Sequence, residues 1–370
     1  MNSRTCKPLM MLVLSLSLLL WVDQAQAATN PAQSSASDLL NSLPASDVVI
    51  YMDAKRLMND VLPAVFGSSP ALLADINKQL NEFKARSGID PHDIEQIAVS
   101  AKLSGAKGQT LDVLLIARGD NLDAPATVAA GLQESARQNS SKAAQAKQEF
   151  QSHVIYTLDG DLRNGMAVTA MDTHTLALGN AVSLRAALSV GQAGYERVSD
   201  DLIQLATHDT GAMIGFAGRL PKLIPAGTND ETDPFLQTLS AIKEFSGSFT
   251  VAKNEAQMNL RVRTAQAEQA QQIGQHIHAL KELAIVSSRK GRVRQGEIVG
   301  VEQPGKAPSN KPKGHLRAES NTGGQSIALP GLGLLIAAPS MNVLKDLNIT
   351  VEGAEVVIKL NHPLSLAVNP

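Results

Sequence analysis

Residues Leu347–Leu360, LNITVEGAEVVIKL, decide the fold. With Glu352-Gly353 as the turn, Val351 faces Ala354, Ile349 faces Val356 and Leu347 faces Ile358. All six are apolar and share one face, because side chains alternate along a strand and cross-strand partners lie on the same side. The other face pairs Thr350 with Glu355 and Asn348 with Val357, mostly polar. The stretch therefore predicts a β-hairpin with one face on a core and one in water. Two earlier stretches follow the same logic. Ile97–Leu103 alternates and pairs with Leu111–Ala117 across a Gly-containing loop. Phe249 and Val251 pair with Leu260 and Met258 if Asn254-Glu255 is the turn.

Around these ribbons the pattern of strand, helix, hairpin, helix occurs twice. Val48–Met52 is a β-rich run, followed by Ala54-Lys55-Arg56-Leu57, which opens a helix stopping near Pro63. A second helix over Pro70–Arg86 carries Leu72, Ile76, Leu80 and Phe83 as an apolar stripe and ends at Ser87-Gly88. A helix at Ala124–Arg137 and strands at His153–Leu158, Met166–Met171 and Thr175–Leu178 follow, and Asn180 caps a helix over Ala181–Ser189. The pattern restarts at Ala212–Phe216. A helix is expected over Asp233–Phe245, then the Phe249 hairpin, then a helix over Ala267–Ala284 with Ile273, Ile277, Leu280 and Ala284 as its stripe. The fold class expected is α+β: two tandem repeats of antiparallel sheet with helices packed on one face of each. The segments are 1–27 (signal peptide), 28–46 (flexible leader, with one helical turn as an option at Asp38–Leu43), 47–192 (first repeat), 198–286 with 326–366 (second repeat) and 287–325 (a basic mobile loop or insertion). The last strand pair is expected to rejoin the sheet that contains Phe249–Arg263.

The address is read from residues 1–27. Arg4 and Lys7 precede the apolar run Leu9–Trp21, and Ala25-Gln26-Ala27 is a small-x-small cleavage pattern, so export with a mature start at Ala28 is expected. Cys6, the only cysteine, precedes the run, where a lipoprotein cysteine would follow it. Cleavage leaves no cysteine for a disulfide, thiol nucleophile or thiolate metal site. No later apolar run is long enough to span a membrane; the best, Ile327–Ala338, is short and contains Pro330. The chain has 33 basic and 35 acidic residues; without Arg4, Lys7 and Asp23 they are 31 and 34. Such balance, with aromatics at 3%, disfavours a nucleic-acid or sugar-stacking partner.

Motifs of catalysis are weak. Ser240-x-x-Lys243 has the spacing of a lysine-activated serine on one helical turn, but the spacing recurs at Ser104/Lys107 and Ser287/Lys290 without partner motifs. His276 and His278 point about 200° apart on a helix and cannot share a metal. His208-Asp209 and Asp172-Thr173-His174 read as turn residues first and as ligand or acid–base pairs second. Gly331-Leu332-Gly333 begins a dinucleotide fingerprint that Ile336 breaks. No catalytic, cofactor or metal residues are assigned, and no cofactor is expected. The one concentrated charge is Arg289, Lys290, Arg292 and Arg294, a candidate contact for an anionic lipid or acidic partner; a solvated loop is the plainer reading.

The signal, the tandem α+β pattern and the strand, Glu-Gly, strand hairpin at Ile349–Leu360 are similar to those of large families of exported bacterial proteins of unknown function. The resemblance covers about Asp47–Leu364 and implies a periplasmic or secreted, non-catalytic protein; it lends no functional residues. The expected role is an envelope protein that binds a protein partner or assembles with itself. The alternatives are a carrier of an apolar ligand such as lipid, and a hydrolase.

Overall fold

The computed structural model describes residues 31–63, 70–104, 110–138, 147–157, 165–220, 240–252, 255–295 and 345–363. Among the described residues, twelve strands form one antiparallel sheet. They are β1 (Val48–Asp53), β2 (Gln96–Ser104), β3 (Thr110–Arg118), β4 (Lys147–Phe150), β5 (His153–Thr157), β6 (Met166–Ala170), β7 (Thr175–Asn180), β8 (Ile214–Gly218), β9 (Ile242–Ala252), β10 (Glu255–Thr264), β11 (Leu347–Glu352) and β12 (Glu355–Pro363). Their order across the sheet is β11-β12-β10-β9-β8-β1-β2-β3-β7-β6-β5-β4. The helices are α1 (Pro31–Asn41), α2 (Pro70–Ser87), α3 (Ala124–Gln138), α4 (Ala181–Leu188), α5 (Asp200–Ala206) and α6 (Ala267–Gln295); a helical turn at Ala54–Arg56 runs into a π-helical turn at Leu57–Val61.

The C-terminal hairpin rejoins the main sheet as expected: β12 pairs with β10, with Met258 opposite Leu360 and Leu260 opposite Ile358. Its internal register differs from the sequence reading. Glu352 and Glu355 close the ribbon, so Ile349 faces Ile358 and Leu347 faces Leu360. The turn is Gly353-Ala354, with Gly353 at φ +58°, a left-handed conformation that suits glycine. Val251 and Phe249 of the β9–β10 hairpin behave alike: Phe249 faces Met258 and Val251 faces Ala256, again two residues from expectation. A shift of two keeps every side chain on its predicted face, where a shift of one would have inverted the ribbon.

Helices cover both faces of this sheet, not one. On one face, α1, α4 and α5 pack on Val49, Tyr51, Ala98, Leu114, Ile116, Ile155 and Ala177. On the other, α6 packs Ala270 and Ile273 on Phe249, Val262, Ile349, Val356 and Ile358. Leu122 and Ala124, at the start of α3, pack on Ala117 and Leu176 of that second face. Three further expectations are corrected. The leader 28–46 contains helix α1, whose Leu39 and Leu40, with Leu43 just after, are fully buried. Helix α6 continues through Gln295, so the first nine residues of the predicted loop 287–325 are helical. The helix predicted over Asp233–Phe245 is instead strand from Ile242, because Phe245, Gly247, Phe249 and Val251 alternate toward the apolar face. Residues 221–239, the signal 1–27 and 296–344 lie outside the described residues. In α2, Leu73 rather than the exposed Leu72 joins Ile76 and Leu80.

Candidate functional site

Among the described residues, the face closed by α1, α4 and α5 is left open further along. Beyond α5, the side chains that β9, β10, β12 and β11 turn to that side are Ser246, Ser248 and Thr250; Gln257, Asn259, Arg261 and Arg263; Glu355, Lys359 and Asn361; and Asn348 and Thr350. No described helix is packed over the β10, β12 and β11 part of this face. Only Val357 is apolar and buried there, between its cross-strand neighbours Arg261 and Thr350.

Where α5 ends, a cleft of about 140 Å³ opens on this face. Its wall is Leu205, His208 and Asp209; its floor is Ser246, Gly247, Ser248, Asn259 and Arg261; its far end is Glu244, Arg263 and Glu355. Asp209 fixes the wall to the floor. Its Oδ1 accepts the Gly211 N–H (3.0 Å) and its Oδ2 accepts the Ser248 hydroxyl (2.8 Å). Gly211 O in turn accepts from Thr250 Oγ1 and Arg56 Nη1, each at 3.0 Å. Gly215 of β8 lets α5 sit this close: a Cβ there would meet Ala206 O at 1.9 Å.

The far end is a chain of alternating charge. Arg219 pairs with Asp201 of α5 and, at 3.5 Å, with Glu244; Arg263 reaches Glu244 at 3.5 Å and Glu355 at 3.7 Å. Pairs this exposed contribute under about 1 kcal/mol each, so they order the rim more than they stabilise the fold. One group in the cleft is unsatisfied among the described residues: the buried Oδ1 of Asn259 accepts no hydrogen bond. Beside it, Arg261 is exposed to solvent. An acceptor left so costs about 1–3 kcal/mol unless water or a ligand donates to it. A second cavity, of about 20 Å³, lies behind Asp209 between Tyr51, Asp53, Arg56 and Ala206, room for about one water.

The residues singled out from the sequence fall in separate places. His208-Asp209 borders the cleft, as a turn whose carboxylate is committed to Gly211 and Ser248. Asp172 accepts the His174 N–H (2.7 Å) in the β6–β7 turn, and His174 Nδ1 meets Leu122 O. His276 and His278 are on α6, across the sheet. Ser240 and Lys243 share no helical turn, since β9 begins at Ile242. Arg289, Lys290, Arg292 and Arg294 belong to the last turns of α6. Among the described residues no group of three His, Asp or Glu side chains is placed to hold a metal, and no helix is long and apolar enough to cross a membrane. The floor residues Ser246, Ser248, Asn259 and Arg261 were not singled out; only their place on the polar side of a hairpin was legible.

No known protein family and no curated protein matches the chain. Solved structures of TP0453 are similar to parts of it at low scores. Crystal form III is 12% identical over 92% of this chain and 96% of the other, with a TM-score of 0.39. Crystal form I is 9% identical over 91% and 94%, also at 0.39, and form IV is 12% identical over 63% and 83%, at 0.34. At these scores the likeness assigns this chain no activity.

Proposed function

We propose that this chain is an exported, non-enzymatic protein of the cell envelope that binds a protein partner through the open polar face of β9, β10 and β12. One observation carries the reading: the same sheet face is closed by three helices over one half and has no described helix over the other, with a cleft at the boundary. Arginines, carboxylates and amides interleaved on a firm sheet suit a charge-mixed polypeptide surface, whose donors and acceptors would meet Arg261 and complete Asn259. A carrier of an apolar ligand wants a lined cavity of about 300 Å³ or more. The cleft is about 140 Å³ and polar, which favours the protein partner. Export rests on the pattern of residues 1–27.

The test is in cells. A photo-crosslinking amino acid replaces Gln257 on the open face or, as control, Lys78 on α2, in protein recovered from the exported fraction with Ala28 at its N-terminus. An adduct with one other protein, formed at 257, not at 78, and lost with Arg261→Glu, is expected. Equal adducts at both positions, or none at 257, overturn the reading.

The two halves are also read as copies of one unit. Strand order runs symmetrically from the central β1–β8 pair, with β1-β2-β3-β7 answered by β8-β9-β10-β12. After the third strand of each, α3 and α6 lie on the same face. Superposition of the two four-strand sets tests it: opposite strand tilt would end the idea.

A further inference from the structure

Among the described residues, β4 and β11 end the sheet, and they differ as edges. An open edge presents unpaired N–H and C=O groups that template another strand, and charges along it discourage that. Edge strand β4, KQEF, is four residues long and carries a Lys147–Glu149 ion pair at 3.7 Å. Edge strand β11, LNITVE, is six residues long with no proline, no bulge against β12 and no charge before Glu352. Lys281 of α6 caps its beginning, donating to Lys345 O (3.3 Å) and Leu347 O (2.6 Å). From Asn348 to Glu352 no described side chain does the same on the outer side. Val351 is 39% exposed at this edge, and α6 crosses it at Gly274, where a Cβ would meet Val351 Cγ2 at 2.7 Å.

We propose that β11 is the pairing edge of a two-fold homodimer, with Thr350 opposite Thr350 of a second copy. The sequence selects both the occupant and the register. Antiparallel pairing about a two-fold axis is isologous, and residues of one face must meet residues of the same face. Centring on Thr350 sets Ile349 against Val351 twice on the apolar side and Asn348 against Glu352 twice on the polar side. Centring on Ile349 would set Glu352 against Asp346 twice, like charge on like. Centring on Val351 would pair Ile349 with Gly353 and waste the apolar contact. The Thr350 register is therefore self-complementary in shape and charge over about 17 Å of an edge that no other described strand pairs with. It continues the sheet through the dimer and places the two α6 helices side by side on one face.

The inference is independent of the polar cleft. Cys6 is the only cysteine, so Thr350→Cys in a Cys6→Ser background gives one reporter thiol. Cross-strand Cα distances of about 5 Å suit a disulfide. Mild oxidation is expected to give a covalent dimer with Thr350→Cys and not with Lys359→Cys, one strand inward. Sedimentation of the unmodified chain is expected to show a reversible dimer, which Thr350→Lys, with two ammonium groups opposed, weakens about tenfold or more. A chain that stays monomeric at every accessible concentration overturns the proposal. So does cross-linking at 359 as fast as at 350. A dimer of undiminished affinity in a folded Thr350→Lys variant assigns association to another surface.

Discussion

Asp53 shows how one residue carries opposing terms. It closes β1 and caps the turn that follows, its Oδ1 accepting the Arg56 N–H at 2.9 Å. Burial raises its carboxyl above the ordinary range; the Arg56 hydrogen bond and guanidinium pull the other way without cancelling that. A carboxyl whose folded pKa is raised stabilises the fold below its unfolded pKa, and that contribution fades as pH rises through the folded value. At neutral pH the charge is then a burden and the cap an asset. Asp53→Asn keeps the acceptor and removes the charge, so its denaturant midpoint should equal or exceed that of the parent at pH 7. The difference should vanish as pH falls below about 4. Asp53→Ala should lose about 1 kcal/mol with the cap. An Asn variant that is weaker at pH 7, and weaker still as pH rises, would show that Arg56 outweighs burial.

At the scale of the element, alternation was the strongest signal, and it held for every hairpin with an apolar side. It fixed which face each residue of β2, β3, β10 and β12 takes, while the exact turn was open, because Glu352-Gly353 and Gly353-Ala354 both close a ribbon of the same parity. What failed were segments whose cues conflict. Ile242 and Phe245 stand three apart, as in a helix, yet Phe245, Gly247, Phe249 and Val251 also alternate, and sheet neighbours decided the contest. The Ser/Ala/Gln-rich start of the chain hid all of α1 but a turn near Asp38–Leu43, since composition outvoted the spacing of Ala36, Leu39, Leu40 and Leu43. The charged β4 and the short α5 were missed for the same reason. The cleft was illegible because Leu205, Ser248, Asn259 and Glu355 come from four elements and meet only through strand pairing. Helix α1 gives the element-scale prediction. Leu40→Ala should cost about 3 kcal/mol, as for a fully buried leucine. Guanidinium unfolding would read it; a loss under about 1 kcal/mol would mean that α1 is only loosely docked.

At the scale of the molecule, the sequence pattern suggests two units, whereas the sheet is continuous through β1 and β8 from Met52↔Ile214 to Val48↔Gly218. The join is more than backbone. Leu202, Ile203 and Ala206 of α5 share one core with Val49 and Tyr51 of β1, Ala217 of β8 and the leucines of α1. Phe216 and Phe245 share the other with Val48 and Met52. Exposing either half would strip both cores, so unfolding one half alone should be unfavourable and the chain should unfold in a single transition. The only tryptophan is Trp21, so with Trp21→Phe one can be placed in each half without background from the remainder. Tyr156→Trp on β5 reports the first half and Leu260→Trp on β10 the second. Their fluorescence midpoints, each compared with far-UV circular dichroism of the same variant, should coincide. If the β10 reporter instead melts at distinctly lower denaturant while β5 stays folded, the β1–β8 seam is a boundary between domains, and the half that carries the open polar face folds as a separate module.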